Sequence, residues 1–122
     1  MKIYKCEFCG RMVEVIKDST SELVCCGHPM KEMIPGTVDA SVEKHVPVVE
    51  IDGKTITVTV GALKHPMEEE HHIEWIAIET KEGSQRKMLE PGDEPKAVFV
   101  LSDTDEFISA TESCNIHGLW KA

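Results

Sequence analysis

The sequence predicts an all-β protein: a small metal-stapled module at the N-terminus, followed by an antiparallel β-sandwich. Four of the five cysteines, Cys6, Cys9, Cys25 and Cys26, fall within the first 26 residues, a stretch with little apolar area of its own. Beyond residue 36, β-rich segments recur with turn residues between them, which is the spacing of a sandwich. No stretch sustains helical periodicity beyond a turn or two, the best candidate being residues 67–72.

In chain order, Lys2–Lys5 and residues 12–16 read as short strands, with Phe8-Cys9-Gly10 as the turn between them. Ile34-Pro35-Gly36-Thr37 closes this unit, so the expected division is a module over 1–36 and a sandwich over 37–122. In the second part the expected strands are 46–51, Thr55–Val60, Ile73–Thr80, 85–89, 96–101 and 106–112. Asp52-Gly53, Glu82-Gly83 and Pro91-Gly92-Asp93 supply turns between them. Thr55–Val60 alternates threonine with Ile or Val at period two and should bury one face, while Ile73–Thr80 alternates less strictly.

The 122 residues include 22 acidic and 13 basic side chains, a formal charge of −9. Such a field repels phosphate backbones and argues against a nucleic-acid partner. It also repels small anions, so an enzyme acting on one needs local positive charge at its site. No apolar run approaches the ~20 residues of a membrane span, and no leader pattern is present, so the expectation is a cytoplasmic protein without a membrane partner. In a reducing compartment an odd set of five cysteines points to metal ligands rather than disulfides.

Cys6-Glu7-Phe8-Cys9 is a knuckle, two thiolates three apart on a tight turn, and Gly10 lets the backbone bend back beneath them. Cys25-Cys26 completes the set, although adjacent cysteines must splay their side chains and should distort a tetrahedral site. Four thiolates suit zinc or iron. A module this small has too little core to offset its ordering entropy, whereas a bound ion supplies about 10 kcal/mol or more of folding free energy.

The second group is His45, His65, His71, Cys114 and His117. Four imidazoles and a thiolate exceed what a structural zinc takes, and five ligands leave an octahedral ion one open position. With the imidazoles in a plane the thiolate is axial, and it pushes electron density toward a small oxidant bound opposite. A lone histidine is more often solvated or packed than metal-bound; here the company differs. His65-Pro66 opens a turn with His71 shortly after, and Cys114-Asn115-Ile116-His117-Gly118 sets two ligands three apart on a loop. His28 reads as a surface residue, and His72 should point away from its neighbour if the chain is extended. Glu68-Glu69-Glu70 reads as a solvated turn. Lys44 adjoins His45, so its ammonium is expected near the open position, offsetting the overall negative charge.

Together, Cys6-x-x-Cys9 with Cys25-Cys26, Glu43-Lys44-His45-Val46-Pro47, His65-Pro66-Met67-Glu68-Glu69, His71 and Cys114-Asn115-x-His117-Gly118 resemble desulfoferrodoxin, the two-iron form of superoxide reductase, over essentially the whole chain. The resemblance implies a desulforedoxin-like module holding one iron through Cys6, Cys9, Cys25 and Cys26. It also implies an immunoglobulin-like sandwich holding the catalytic iron through His45, His65, His71, His117 and Cys114. The implied reaction is one-electron reduction of superoxide to hydrogen peroxide, with rubredoxin or a similar small protein as electron donor, in a homodimer. Lys44 is implied to attract the anion and help orient a proton-delivering water, and Glu43 to ligate the resting ferric ion.

Other readings account for fewer residues. A cupredoxin-like electron carrier also pairs an early histidine with a late Cys-x-x-His loop, but leaves His65 and His71 surplus and finds no methionine after His117. A metal-binding electron-transfer protein without superoxide chemistry, or a module whose ions only staple the fold, gives Lys44 no role.

Overall fold

A computed structural model describes all residues 1–122 and divides the chain into two compact units, Met1–Ile34 and Pro35–Ala122. The first unit contains β1 (Lys2–Lys5), β2 (Met12–Val15), β3 (Val24–Cys25), β4 (His28–Pro29) and β5 (Lys31–Glu32). Strand β1 is central, antiparallel to β2 from Lys2↔Val15 to Lys5↔Met12 and to β5 through Tyr4↔Glu32 and Lys5↔Lys31. Strands β3 and β4 form a separate hairpin. Its two loop residues, Cys26 and Gly27, both have positive φ, 53° and 73°, as a tight hairpin turn matched to the strand twist requires. Ile3 and Cys6 are the unit's buried residues, a core too small to offset the entropy of ordering the chain around it.

The second unit opens with one helical turn, α1 (Val42–His45), and continues as β6 (Pro47–Asp52), β7 (Thr55–Val60), β8 (Ile73–Thr80), β9 (Gly83–Met88), β10 (Lys96–Val100), β11 (Phe107–Cys114) and β12 (Gly118–Lys121). These make two antiparallel sheets, ordered β10-β7-β6 and β12-β11-β8-β9. Ile56, Val58 and Val60 of β7 point inward while the threonines between them are half-buried. They meet Ile73, Ile76 and Ile78 of β8 and Ala110 and Cys114 of β11, with Ala97, Phe99 and Leu101 completing the core. Each fully buried side chain of this size stabilises the fold by about 1.5–3 kcal/mol.

Strand β8 alternates loosely because it is interior to its sheet and covered on both faces. Trp75 is only 5% exposed on the face away from the core, where the Arg86 guanidinium lies 4.7 Å over its ring.

Residues 67–72 are not helical. Glu68 and His71 exchange backbone hydrogen bonds of 2.9 and 3.2 Å, closing a tight turn. Pro66 ahead of the stretch, three adjacent like charges and its short length leave a helix nothing to nucleate on. The helical turn is α1 instead, too short to carry a periodic signal. Strand β12 is a further element the hydrophobic pattern did not suggest; it pairs with the end of β11 from Thr111↔Lys121 to Cys114↔Gly118.

Asp105 ties the loop ends opposite the His-rich segment. Its carboxylate accepts the N–H groups of Glu82 and Glu106 at 3.0 and 2.8 Å, and the Lys54 ammonium donates to its carbonyl at 2.9 Å. Burial pulls its pKa up, but the Thr80 hydroxyl, those amides and Lys54 outweigh that pull and hold it below the usual aspartate value. A carboxylate depressed in the folded state contributes stability that is present above its unfolded pKa and lost as pH falls through the folded one. Asp105→Asn should therefore lower the melting temperature at neutral pH, with the gap to the parent closing in acid. Melting curves that stay equally far apart at every pH would contradict this account.

Candidate metal centres

In the four-sulfur cluster, Gly10 N–H donates to the Cys6 carbonyl at 3.0 Å and Cys6 N–H to the Arg11 carbonyl at 2.9 Å, folding the chain back under the two thiols of the knuckle. Gly10, with φ 81°, makes that reversal possible. The hairpin turn resolves the adjacency of Cys25 and Cys26. Cys25 ends β3 in a paired strand and Cys26 is left-handed, and this change of backbone direction lets two adjacent cysteines bring their sulfurs to one cluster. All four sulfurs lie within 4.8 Å of one another, and Cys9 Sγ is 3.6 Å from Cys25 Sγ. Sulfurs around a tetrahedral ion with ~2.3 Å bonds stand about 3.8 Å apart.

The thiols part with their protons unequally. The Cys9 amide, against the pull of burial and with the Phe8 amide assisting, brings Cys6 down to about 6. Cys9 and Cys6 sulfurs, together with burial, push Cys25 up to about 12. A bound cation would favour all four as thiolates. His28 stays outside the cluster. It is exposed, its Nδ1 lies 2.9 Å from the Cys26 carbonyl, and its ring stacks on Phe8 at 4.3 Å.

The second centre lies where α1, the turn after β7, the loop before β8 and the β11–β12 hairpin meet. His45 ends α1 with Nδ1 2.7 Å from the Ser41 carbonyl, and His65 has Nδ1 2.7 Å from the Pro66 carbonyl. Both contacts place the proton on Nδ1 and leave Nε2 as a lone pair facing inward. Those two Nε2 atoms are 3.1 Å apart, and His117 Nδ1 is 3.0 Å from His45 Nε2 and 3.9 Å from Cys114 Sγ. His71 Nε2 is buried with no hydrogen-bond partner. Neighbouring nitrogens around an ion with ~2.1 Å bonds are about 3.0 Å apart.

The four rings stand at the corners of a near-square. Neighbours are 4.7–5.1 Å apart and edge-on to one another, while the His45–His71 diagonal is 6.4 Å with the rings near parallel. Cys114, 1% exposed and part of the hydrophobic core, brings its thiol to the square from the sandwich interior. Burial lowers the pKa of His45 and His71 and takes His65 down to about 4, so these rings are neutral near pH 7. Burial raises the Cys114 thiol, and the His117 and Ile116 amides pull it back. The neutral His45 and His65 rings, with their Nε2 lone pairs 3.1 Å apart, repel unless a cation sits between them, and four nitrogens with one sulfur suit iron. His65 and His71, surplus in a blue-copper arrangement, are both in the square.

Two buttresses escaped the sequence reading. Trp120 sets its ring 5.1 Å from His45 and donates Nε1–H to the His117 carbonyl at 3.1 Å. Asn115 Oδ1 accepts His72 N–H at 2.9 Å, its Nδ2 donates to the Glu70 carbonyl at 3.0 Å, and its own N–H reaches the His72 carbonyl at 3.1 Å. It thereby staples the His71 loop to the Cys114 loop. Its place inside the Cys-x-x-His motif was the available signal; Trp120, three residues past the last histidine, carried none. His72 itself is engaged through its backbone and is not in the cluster, and Glu68, Glu69 and Glu70 are exposed.

Glu43 and Lys44 occupy the exposed side of α1, with no hydrogen bond or ion pair tying either side chain. Beyond the dominant effect of burial, the Lys44 charge helps depress His45, which puts the ammonium within electrostatic reach of the square.

Comparison with known proteins covers both units. Residues 37–122 match the desulfoferrodoxin family profile, and residues 1–33 match the profile of the desulfoferrodoxin N-terminal domain. The chain is 52% identical to a desulfoferrodoxin homolog of Archaeoglobus fulgidus, spanning 100% of this chain and 96% of that one. It is 50% identical to desulfoferrodoxin of Nitratidesulfovibrio vulgaris, spanning 99% and 94%. Among solved structures it is similar to the superoxide reductase of Treponema pallidum, with a TM-score of 0.84 and 34% identity over 99% of this chain and 97% of that one. Profile matches on both units and identity near one half to full-length relatives agree with the two donor clusters, and the chain belongs to the desulfoferrodoxin family.

Proposed function

We propose that this protein is a superoxide reductase: an oxidoreductase that reduces superoxide by one electron to hydrogen peroxide, with two iron ions per chain. The observation that carries the reading is the square of four imidazoles over a buried thiol, in a chain that matches a superoxide reductase from end to end. We assign Cys6, Cys9, Cys25 and Cys26 to the first iron, and His45, His65, His71, His117 and Cys114 to the second. A ferrous ion held by the second set would supply the electron.

The residues of the chain do the rest. Cys114 would reach the ion from the core side as an anionic donor, and His45, His65 and His71, kept neutral by burial, would add no charge of their own. Lys44, exposed and unpaired, adds positive charge against a net −9 and is assigned to draw in the anion and orient a water that delivers protons. Two protons and one electron convert each superoxide into one peroxide. Glu43, beside it on α1, is assigned as the carboxylate ligand of the oxidised centre.

A rubredoxin-like protein is the assigned electron donor and the cytoplasm the assigned compartment. Five unpaired cysteines support a reducing environment, and no helix is long and apolar enough to cross a membrane. Exposed Val98 and Val100 on edge strand β10 offer apolar area for the homodimer assigned to the chain.

Mixing the reduced, iron-loaded protein with superoxide under anaerobic conditions should yield one peroxide per superoxide and no dioxygen. Half that peroxide with matching dioxygen would mean dismutation, and no accelerated loss of superoxide would sink the enzyme reading. Lys44→Ala should slow superoxide capture about tenfold at low salt, flatten its salt dependence and leave iron content unchanged. Stripping the metal with a chelator should unfold Met1–Ile34 and leave β6–β12 folded, read as selective loss of amide hydrogen-exchange protection in the first unit.

A further inference from the structure

Of the eight glycines in the chain, seven hold positive φ, a backbone region that disfavours side chains. Gly61 does not, and what constrains it is space. A β-carbon built on Gly61 falls 2.6 Å from the Glu43 carbonyl oxygen, 2.8 Å from the Lys44 carbonyl carbon and 3.0 Å from the Lys44 carbonyl oxygen. All three are backbone atoms, so no change of rotamer relieves the contact.

A second tie holds the same group, because Leu63 N–H donates to the Glu43 carbonyl at 2.9 Å. The turn after β7 therefore grips the Glu43–Lys44 peptide through a close approach and a hydrogen bond. That turn also leads into His65, whose N–H returns to the Val60 carbonyl at 3.2 Å. The segments carrying His45 and His65 thus meet backbone to backbone at the one residue without a side chain. His45 has its own restraints in the Ser41 carbonyl and the Trp120 ring. Glu43 and Lys44 have none in their side chains, so the grip on their backbone decides where they stand.

We propose that Gly61 is the positioning residue for the Glu43–Lys44 pair: its missing side chain lets the β7 turn clamp the backbone that aims the Lys44 ammonium at the incoming anion. The inference rests on the role assigned to Lys44 above. An alanine at position 61 forces the peptide back by roughly 0.8 Å to reach ordinary contact, a displacement of the size that costs up to about a hundredfold in rate when it falls on a catalytic group.

The test compares four iron-loaded full-length chains, the parent, Gly61→Ala, Lys44→Ala and the double variant, with superoxide delivered by pulse radiolysis across a range of ionic strength. Gly61→Ala is expected to slow capture about tenfold, to flatten its salt dependence, and to add less than about twofold to the loss already caused by Lys44→Ala. In the zinc-loaded chain, hydrogen exchange of the Leu63 amide should quicken about tenfold or more while β8 and β11 keep parent protection. Losses that multiply in the double variant, or a Gly61→Ala chain with parent rate and parent salt slope, would overturn the proposal and leave the Lys44 assignment standing. A Lys44→Ala chain as fast as the parent would overturn both. If Gly61→Ala does not fold, replacing the Leu63 amide by an ester deletes the N–H given to Glu43 and otherwise weakens only the Ala62 carbonyl as an acceptor. Slower, Lys44-dependent capture is then expected, and parent behaviour would refute the clamp.

Discussion

The second unit is organised around an electrostatic conflict that only a cation settles. The Nε2 atom of His45 has a nitrogen of His65 and one of His117 about 3 Å away, burial keeps His45, His65 and His71 neutral, the His71 Nε2 is buried without a partner, and a thiol reaches them from the hydrophobic core. Left to themselves these donors would turn to solvent. They are kept in place by groups that gain nothing from the metal directly: the Ser41 and Pro66 carbonyls, the Asn115 staple and the Trp120 indole. The strain of holding lone pairs together is spread over the sandwich, whose packed core from Ile56 to Phe99 supplies the rigidity.

The first unit meets a similar demand with opposite means. Its buried residues are Ile3 and Cys6, so no core stands behind the four sulfurs, and hairpin turns place them instead. Here the ion is part of the fold, whereas in the second unit the fold waits for the ion. The two halves therefore differ in what loss of metal does to them, although each is built from β-hairpins.

How much of this was legible in the sequence depended on the range of each signal. Thr55–Val60 announced its inward face because period-two alternation is local, and the knuckle and the Cys-x-x-His loop announced themselves because ligand spacing is local too. His45, His65, His71 and Cys114, far apart in sequence, lie together, and His117 turns its Nδ1 rather than its Nε2 toward His45 and Cys114. Signals that depend on distant contacts were silent. Four residues of α1 carry no repeat, and β12 is defined by pairing with the end of β11 rather than by its own pattern. The stretch 67–72 was the best of weak helical candidates, and the backbone bonds between Glu68 and His71 that make it a turn have no signature in the local pattern. Gly61 reads as one more turn glycine until the Glu43 carbonyl is seen against it.

Trp120 has a consequence beyond support. An indole ring 5.1 Å from the His45 ring, with its N–H fixed on the His117 carbonyl, sits against one donor of the centre and is almost fully shielded from water. Its excited state is therefore exposed to whatever ion occupies the square, and a paramagnetic one quenches emission at that range whereas a closed-shell one largely spares it. The Trp120 share of the emission, separated from that of Trp75 by replacing Trp75 with Phe, thus gives an optical gauge of which metal the fold holds, readable in dilute solution without a label and without any substrate turning over.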